Sequence, residues 1–116
     1  MTYKLFLDDL RTVDMVYSSD REDDFIIVRS YDAFVWHIQL NGLPEFISFD
    51  NDLGEDHNGE LLQDGYACTK RLVYESGLDL RNLKFYVHSA NPVAKVQIQS
   101  LLTNYIKFLT NTDWSE

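Results

Sequence analysis

Apolar and polar positions in this chain fall in blocks. Tyr3 to Leu7 (YKLFL) is a short apolar run that ends in two aspartates, and Phe25 to Val28 (FIIV) is an uninterrupted apolar run. Such runs are buried on both faces, as central parallel strands are. After Pro44, Phe46 to Phe49 (FISF) leads straight into Asp50, and Leu83 to Val87 (LKFYV) ends at His88. Between these runs the apolar spacing lengthens to that of a helix. Ser30 stands as N-cap to a helix carrying Tyr31, Phe34, Val35 and Ile38 on one face, and Asn41-Gly42 supplies its left-handed stop. Asp64 caps a second, with Gly65, Cys68, Thr69, Leu72 and Val73 on one face and Gly77 beyond its end. A third begins near Pro92 and carries the stripe Ala94, Ile98, Leu101, Leu102, Tyr105 and Leu109. Asn51 to Gln63 reads as a long polar loop at a strand's carboxyl end, and Arg11 to Asp24 fits neither period.

Strand alternating with helix predicts an α/β domain with a mostly parallel sheet of about four strands, right-handed crossovers and helices on both faces. With 116 residues, 45% of them hydrophobic, the chain builds one core and has no room for a second domain, so residues 1–116 read as a single unit. Ligands in such sheets bind at the carboxyl ends of the strands. Those ends are Asp8-Asp9, Asp50-Asn51-Asp52 and His88-Ser89-Ala90-Asn91.

The net charge of −9 narrows the partners. A surface this acidic repels nucleic-acid backbone and anionic lipid, and the basic residues are scattered rather than clustered. An anionic substrate therefore needs a metal ion between itself and the carboxylates. No apolar stretch approaches the ~20 residues of a membrane span, and the run before Asp8 is too short for a signal-peptide core, so the expectation is a cytoplasmic protein. Cys68 has no cysteine to pair with and no zinc spacing around it, and reads as a small core residue on a helix.

Asp8, Asp9, Asp50 and Asp52, gathered at one edge, raise one another's pKa unless a cation or proton compensates. Oxygen ligands favour Mg²⁺ or Mn²⁺, and Asp8 or Asp9 with Asp50 is a fitting ligand set. The competing reading is that Asp8 and Asp9 cap the segment that follows them and Asp52 caps a loop turn. His88 is either a boundary residue satisfied within the fold or a group for acid/base work, with Ser89 and Asn91 as hydrogen-bonding neighbours. Arg11 fits a phosphate contact and a salt bridge to the aspartates equally well. His57 lies in the acidic loop, and His37 on the polar side of its helix reads as surface. Asp50-Asn51-Asp52-Leu53-Gly54-Glu55 is not an EF-hand, which needs a ligand where Gly54 stands and glycine where Glu55 stands.

With LFLDDLR, SFDNDLG and VHSANP in that order, each at a predicted strand end, the chain resembles the cyclic-phosphate-processing receiver-like family, a divergent relative of response-regulator receiver domains. The family pattern, LDDxRxP, DHDLG and HSxNPxG, is matched at Asp8, Asp9, Arg11, Asp50, Asp52, Leu53, Gly54, His88, Ser89, Asn91 and Pro92. Val13, Asn51 and Ala94 depart from it, standing for a proline, a histidine and a glycine. The resemblance implies a receiver-like (flavodoxin-like) three-layer fold and activity on a cyclic phosphate of a nucleotide or ADP-ribose derivative. The site expected on this basis has Asp8, Asp9 and Asp50 on Mg²⁺ or Mn²⁺, and His88, Asp50 and Asp52 in catalysis. Arg11, Asn51, Ser89 and Asn91 would contact the phosphorylated ligand. Rival readings are a module that binds such a ligand without turning it over, an interaction domain whose acidic face meets a basic partner, and a signalling receiver phosphorylated on Asp50. Against the last, no lysine precedes the late proline: Asn91 does, while Lys84 and Lys95 fall at the far end of a strand and inside a helix.

Overall fold

The computed structural model of the chain describes residues 3–17, 25–54, 58 and 63–112. Four strands, β1 (Lys4–Leu7), β2 (Phe25–Val28), β3 (Phe46–Phe49) and β4 (Lys84–Val87), form one sheet in the order β2-β1-β3-β4, and every pair is parallel. Three helices connect or follow them: α1 (Tyr31–Asn41), α2 (Gly65–Tyr74) and α3 (Pro92–Thr112). The segment that showed no period contains a 3₁₀ turn, Val13–Met15, whose Val13 is fully buried.

The caps are those expected from residue type. Ser30 accepts from the Ala33 amide and Asp64 from the Ala67 amide, each satisfying a donor that the first helical turn leaves open. Asn91 does the same for α3, its Oδ1 accepting from the Val93 and Ala94 amides at 3.1 Å each. Gly42 ends α1 at φ +82°, the left-handed region that favours glycine.

Alternation along the strands sorts side chains to two faces. Leu5, Leu7, Ile47, Phe49 and Val87 point to one face, where they pack with Phe34 and Ile38 of α1, Cys68, Leu72 and Val73 of α2, and Ile98 and Leu102 of α3. All three described helices therefore lie on that face. The opposite face carries Phe6, Phe25, Ile27 and Phe46, covered by Val13, Val16 and Tyr17 of the first loop. The receiver-like α/β fold stands, but helices on both faces are not found among the described residues. Among the described residues a 3₁₀ turn and an aromatic cluster lie against that face, and Tyr17 lies flat on Phe25 at 5.6 Å between ring centres.

The register sets what meets at the carboxyl edge. Leu7 stands opposite Phe49, and Phe49 opposite Val87. The ladder runs one residue further: the Asp50 amide donates to Leu7 O at 2.9 Å and the His88 amide to Phe49 O at 2.8 Å. Asp8, Asp50 and His88 are thus neighbours by strand register. Each is two residues on from Phe6, Ser48 and Tyr86, and so belongs to the helix-free face.

The start of α2 is pressed against this edge. A Cβ on Gly65 would lie 2.0 Å from the Asp50 carbonyl oxygen and 2.9 Å from the Asn51 Cα. Space, not backbone conformation, requires glycine there. Gly65→Ala should cost about 3 kcal/mol or more in urea denaturation, at or above the usual range for overpacking a filled site. Gly77→Ala meets open space at φ +72° and should cost only the ~1 kcal/mol of a left-handed alanine. Equal losses at the two positions would contradict the close approach.

Candidate functional site

Asp8, Asp50 and His88 each offer a ligand atom within 4.8 Å of the other two, and all three residues are buried. At such a separation two ionised carboxylates repel by roughly 3.5 kcal/mol at an effective dielectric constant of about 20, so the pair persists only with compensation. Arg11 supplies part of it. Its Nε lies 3.1 Å from Asp8 Oδ2, its Nη2 lies 3.5 Å from Asp50 Oδ1, and its side chain remains 35% exposed. Arg29 holds the loop in place by donating to the Arg11 carbonyl at 2.8 Å and the Asp8 carbonyl at 3.2 Å.

Asp8 does two jobs that sequence reasoning set against each other. Its Oδ1 caps the loop, accepting from the Leu10 and Arg11 amides at 2.9 and 2.8 Å, while Oδ2 faces Arg11 and the His88 Nε2 at 3.0 Å. Burial pushes its pKa up, yet the two amides, the His88 hydrogen bond and the Arg11 charge together outweigh burial and hold it below the usual carboxylate range. Asp8 therefore stays ionised well into acid. Asp50 goes the other way: burial and then the Asp8 charge raise it to about 6, against the relief from the Asn51 amide and Arg11, and Asp9 adds to the rise. Burial lowers the His88 pKa, opposed by its contact with Asp8 and assisted by Arg11, so the ring is neutral at neutral pH.

The other expected residues divide sharply. Asp9 is half-buried beside the trio and acts on Asp50 through its charge, without being one of the three that converge. Asp52 is exposed and accepts from Asn51 Nδ2 at 3.3 Å, outside the cluster. Asn51 is buried, and its side chain turns away to anchor α2, Oδ1 accepting from the Tyr66 amide at 3.0 Å. The departure from histidine at position 51 thus falls on a helix-anchoring residue. Asn91 has its Oδ1 engaged as the α3 cap, and Ser89 is buried with Oγ accepting from the Asn91 amide at 3.1 Å. His37 is half-buried, edge-on to Tyr3 at 5.1 Å, not plain surface. His57 lies outside the described residues.

Two residues that complete the hydrogen bonding of the cluster had not been singled out in the sequence. Ser48 Oγ lies 2.7 Å from His88 Nδ1, and Tyr17 Oη lies 2.9 Å from Ser48 Oγ. The signal for Ser48 was present: it is the polar residue in an otherwise apolar strand and is fully buried. Tyr17 sat in the segment without a period.

The donor set fits a divalent cation. When Asp50 is ionised, Asp8, Asp9 and Asp50 carry more negative charge than the neighbouring Arg11 and Arg29 offset. An imidazole nitrogen beside two carboxylates suits Mn²⁺ better than Mg²⁺, which prefers oxygen throughout. A cavity of about 300 Å³ between α1 and α2, lined by Phe34, Ile38, Arg71 and Leu72, lies across the sheet from this cluster.

The raised Asp50 pKa has a stability consequence with a definite sign. The folded state takes up the Asp50 proton near pH 6, the unfolded chain only near 3.8, so this residue disfavours folding as pH rises through that window. In a chelating buffer, Asp50→Asn should melt above the wild type at pH 7.5, and the gap should close as pH falls to about 4. A gap that is constant or widens in acid would contradict the assignment.

Three comparisons bear on the chain as a whole. Among solved structures, one that it resembles is described as the yeast Spc42 trimeric coiled coil, amino acids 181–211, fused to another protein. The likeness covers 99% of this chain and 85% of that one, with a TM-score of 0.57 at 14% identity, and bears on the fold alone. A comparison with curated proteins finds no significant match. The family model for the cyclic-phosphate processing receiver domain matches residues 3–104, nearly the whole described fold and every residue of the cluster. The chain belongs to the cyclic-phosphate processing receiver domain family.

Proposed function

We propose that the protein is a metal-dependent phosphoesterase that opens a cyclic phosphate of a nucleotide or ADP-ribose derivative. The observation that carries this reading is the convergence of Asp8, Asp50 and His88 within 4.8 Å at the strand ends, with Arg11 on both carboxylates. In the proposed site these three side chains hold Mn²⁺ or Mg²⁺, and Asp9 adds negative charge at their margin. Bound there, the ion supplies Lewis-acid stabilisation of the phosphate and a water of lowered pKa.

Arg11 is the group best suited to the phosphate. Its guanidinium is partly exposed and already neutralises the carboxylates, a task it yields when a cation takes over. In the proposed reading Ser89, whose Oγ accepts from the Asn91 amide, keeps its hydroxyl proton for the same ligand, and Asp52, exposed and outside the cluster, takes part only as a solvent-side base. Asn51 and Asn91 serve the substrate through the loops they hold. The side chain of His88 is only 2% exposed and packed against Asp8, so it acts on the reaction through the cation and Asp8 rather than by touching the leaving oxygen.

The same geometry accommodates a second reading, a module that binds the phosphorylated ligand without turnover, since most of the cluster's hydrogen bonds are already made within the fold. A phosphorylated signalling receiver is less well supported. Lys84 begins β4 at the opposite end of the sheet, and the Lys95 Nζ sits 5.6 Å from the Tyr86 ring centre.

Screening 2′,3′- and 3′,5′-cyclic nucleotides and cyclic ADP-ribose phosphates with Mn²⁺ or Mg²⁺ should find at least one opened to a monoester, with His88→Ala slower by about 10- to 100-fold through its hold on the cation. Binding without cleavage would replace the enzyme by the sequestering module, and labelling of Asp50 by acetyl phosphate would favour the signalling receiver. Arg11→Gln should have opposite effects on the two ligands: cation affinity rises several-fold as a competing charge leaves, and phosphate binding weakens about ten-fold. A loss of both would mean that Arg11 only holds the loop together.

A further inference from the structure

His88 is fixed from three sides. Its ring stacks on Phe6 at 4.8 Å and 5°, Nε2 faces Asp8 Oδ2 at 3.0 Å, and Nδ1 faces Ser48 Oγ at 2.7 Å. Ser48 lies on β3 between the strands that bear Phe6 and His88, and its small side chain leaves room for the two rings to meet over it. Beyond it stands the Tyr17 hydroxyl at 2.9 Å. The four side chains make a continuous hydrogen-bonded line from the part-exposed Tyr17 to the buried Asp8.

The direction of that line follows from what each group can do. An ionised carboxylate only accepts, so Nε2 carries the ring proton and donates it to Asp8. Nδ1 is then an acceptor, the Ser48 hydroxyl donates to it, and Ser48 Oγ accepts from Tyr17. A cation at Asp8 and Asp50 would require the reverse, because Nε2 must present a lone pair. Nδ1 then carries the proton and donates to Ser48 Oγ, and the Ser48 hydroxyl turns to the Tyr17 oxygen. On the Ser48 side only hydroxyl and ring hydrogens change place, while Asp8 Oδ2, which faces Nε2 at 3.0 Å, has to shift aside to admit a cation.

The geometry points to Ser48 and Tyr17 as positioning residues whose hydrogen-bonded line selects the His88 tautomer and reverses when a divalent cation binds at Asp8 and Asp50. The protons balance. The Nε2 proton leaves to solvent, Nδ1 takes the Ser48 proton, Ser48 takes that of Tyr17, and Tyr17 recovers one from water. Ligating histidines elsewhere depend on such a partner for the other ring nitrogen, and losing it weakens metal binding by about 10- to 100-fold. The reversal rests on the cation-binding reading proposed above; the cation-free tautomer does not.

Imidazole ¹⁵N shifts of the full chain separate the two parts. In chelating buffer His88 should carry its proton on Nε2, and saturating Zn²⁺, a diamagnetic probe, should move it to Nδ1. Titration calorimetry with Mn²⁺ should give about ten-fold weaker binding or worse for Ser48→Ala, and a several-fold loss for Tyr17→Phe. Tyr17→Phe keeps the ring stacked on Phe25 and removes one hydroxyl, so a fold defect does not explain its effect. Wild-type binding in both variants would overturn the proposal while leaving the cation site intact. A cation-free ring protonated on Nδ1 would also overturn it. No cation binding by the wild type would overturn both this proposal and the function it rests on.

Discussion

Two carboxylates held side by side on adjacent parallel strands are the constraint from which the rest of the site follows. Leu7 pairs with Phe49, so Asp8 and Asp50 leave the sheet at the same level and on the same face. Their repulsion, of the order of a few kcal/mol, is comparable with a sizeable part of a small domain's net stability. It is distributed over several neighbours rather than removed. Asp8 takes the amides and the histidine and stays ionised, Asp50 is left with the raised pKa, and Arg11 spans the two.

The surrounding structure keeps that arrangement in place. Gly65 lets α2 press on the Asp50 backbone, and Asn51 ties the following loop to the first turn of the same helix. Arg29 pins the first loop, and Phe6 backs the His88 ring. These contacts hold the carboxyl edge as a cradle whose charge is only partly neutralised. The donor set of Asp8, Asp50 and His88 suits a divalent cation, and the chain belongs to the cyclic-phosphate processing receiver domain family.

Much of this was legible in the sequence because the signals were local. Apolar runs marked all four strands, Ser30 and Asp64 marked the helix starts, and the aspartates and His88 lay where strands end. What was not legible depended on direction after the strand stops. In Asp50-Asn51-Asp52 the chain leaves the sheet, the period of two no longer holds, and Asn51 turns inward while Asp52 faces solvent. Residue type could not settle this, since asparagine and aspartate both cap turns. The layer opposite the helices was hidden for a different reason. Val13 and Tyr17 cover Phe6, Phe25 and Phe46 from a short turn, which leaves no period to read.

In the proposed function, the register of three strands builds one cation site with a histidine nitrogen in it. Electron spin-echo envelope modulation of Mn²⁺ bound to the protein tests this most directly. A directly bound imidazole nitrogen should modulate the echo, and the modulation should vanish in His88→Gln while Mn²⁺ still binds through Asp8 and Asp50. Bound Mn²⁺ without nitrogen modulation, or with modulation unchanged in His88→Gln, would contradict the account.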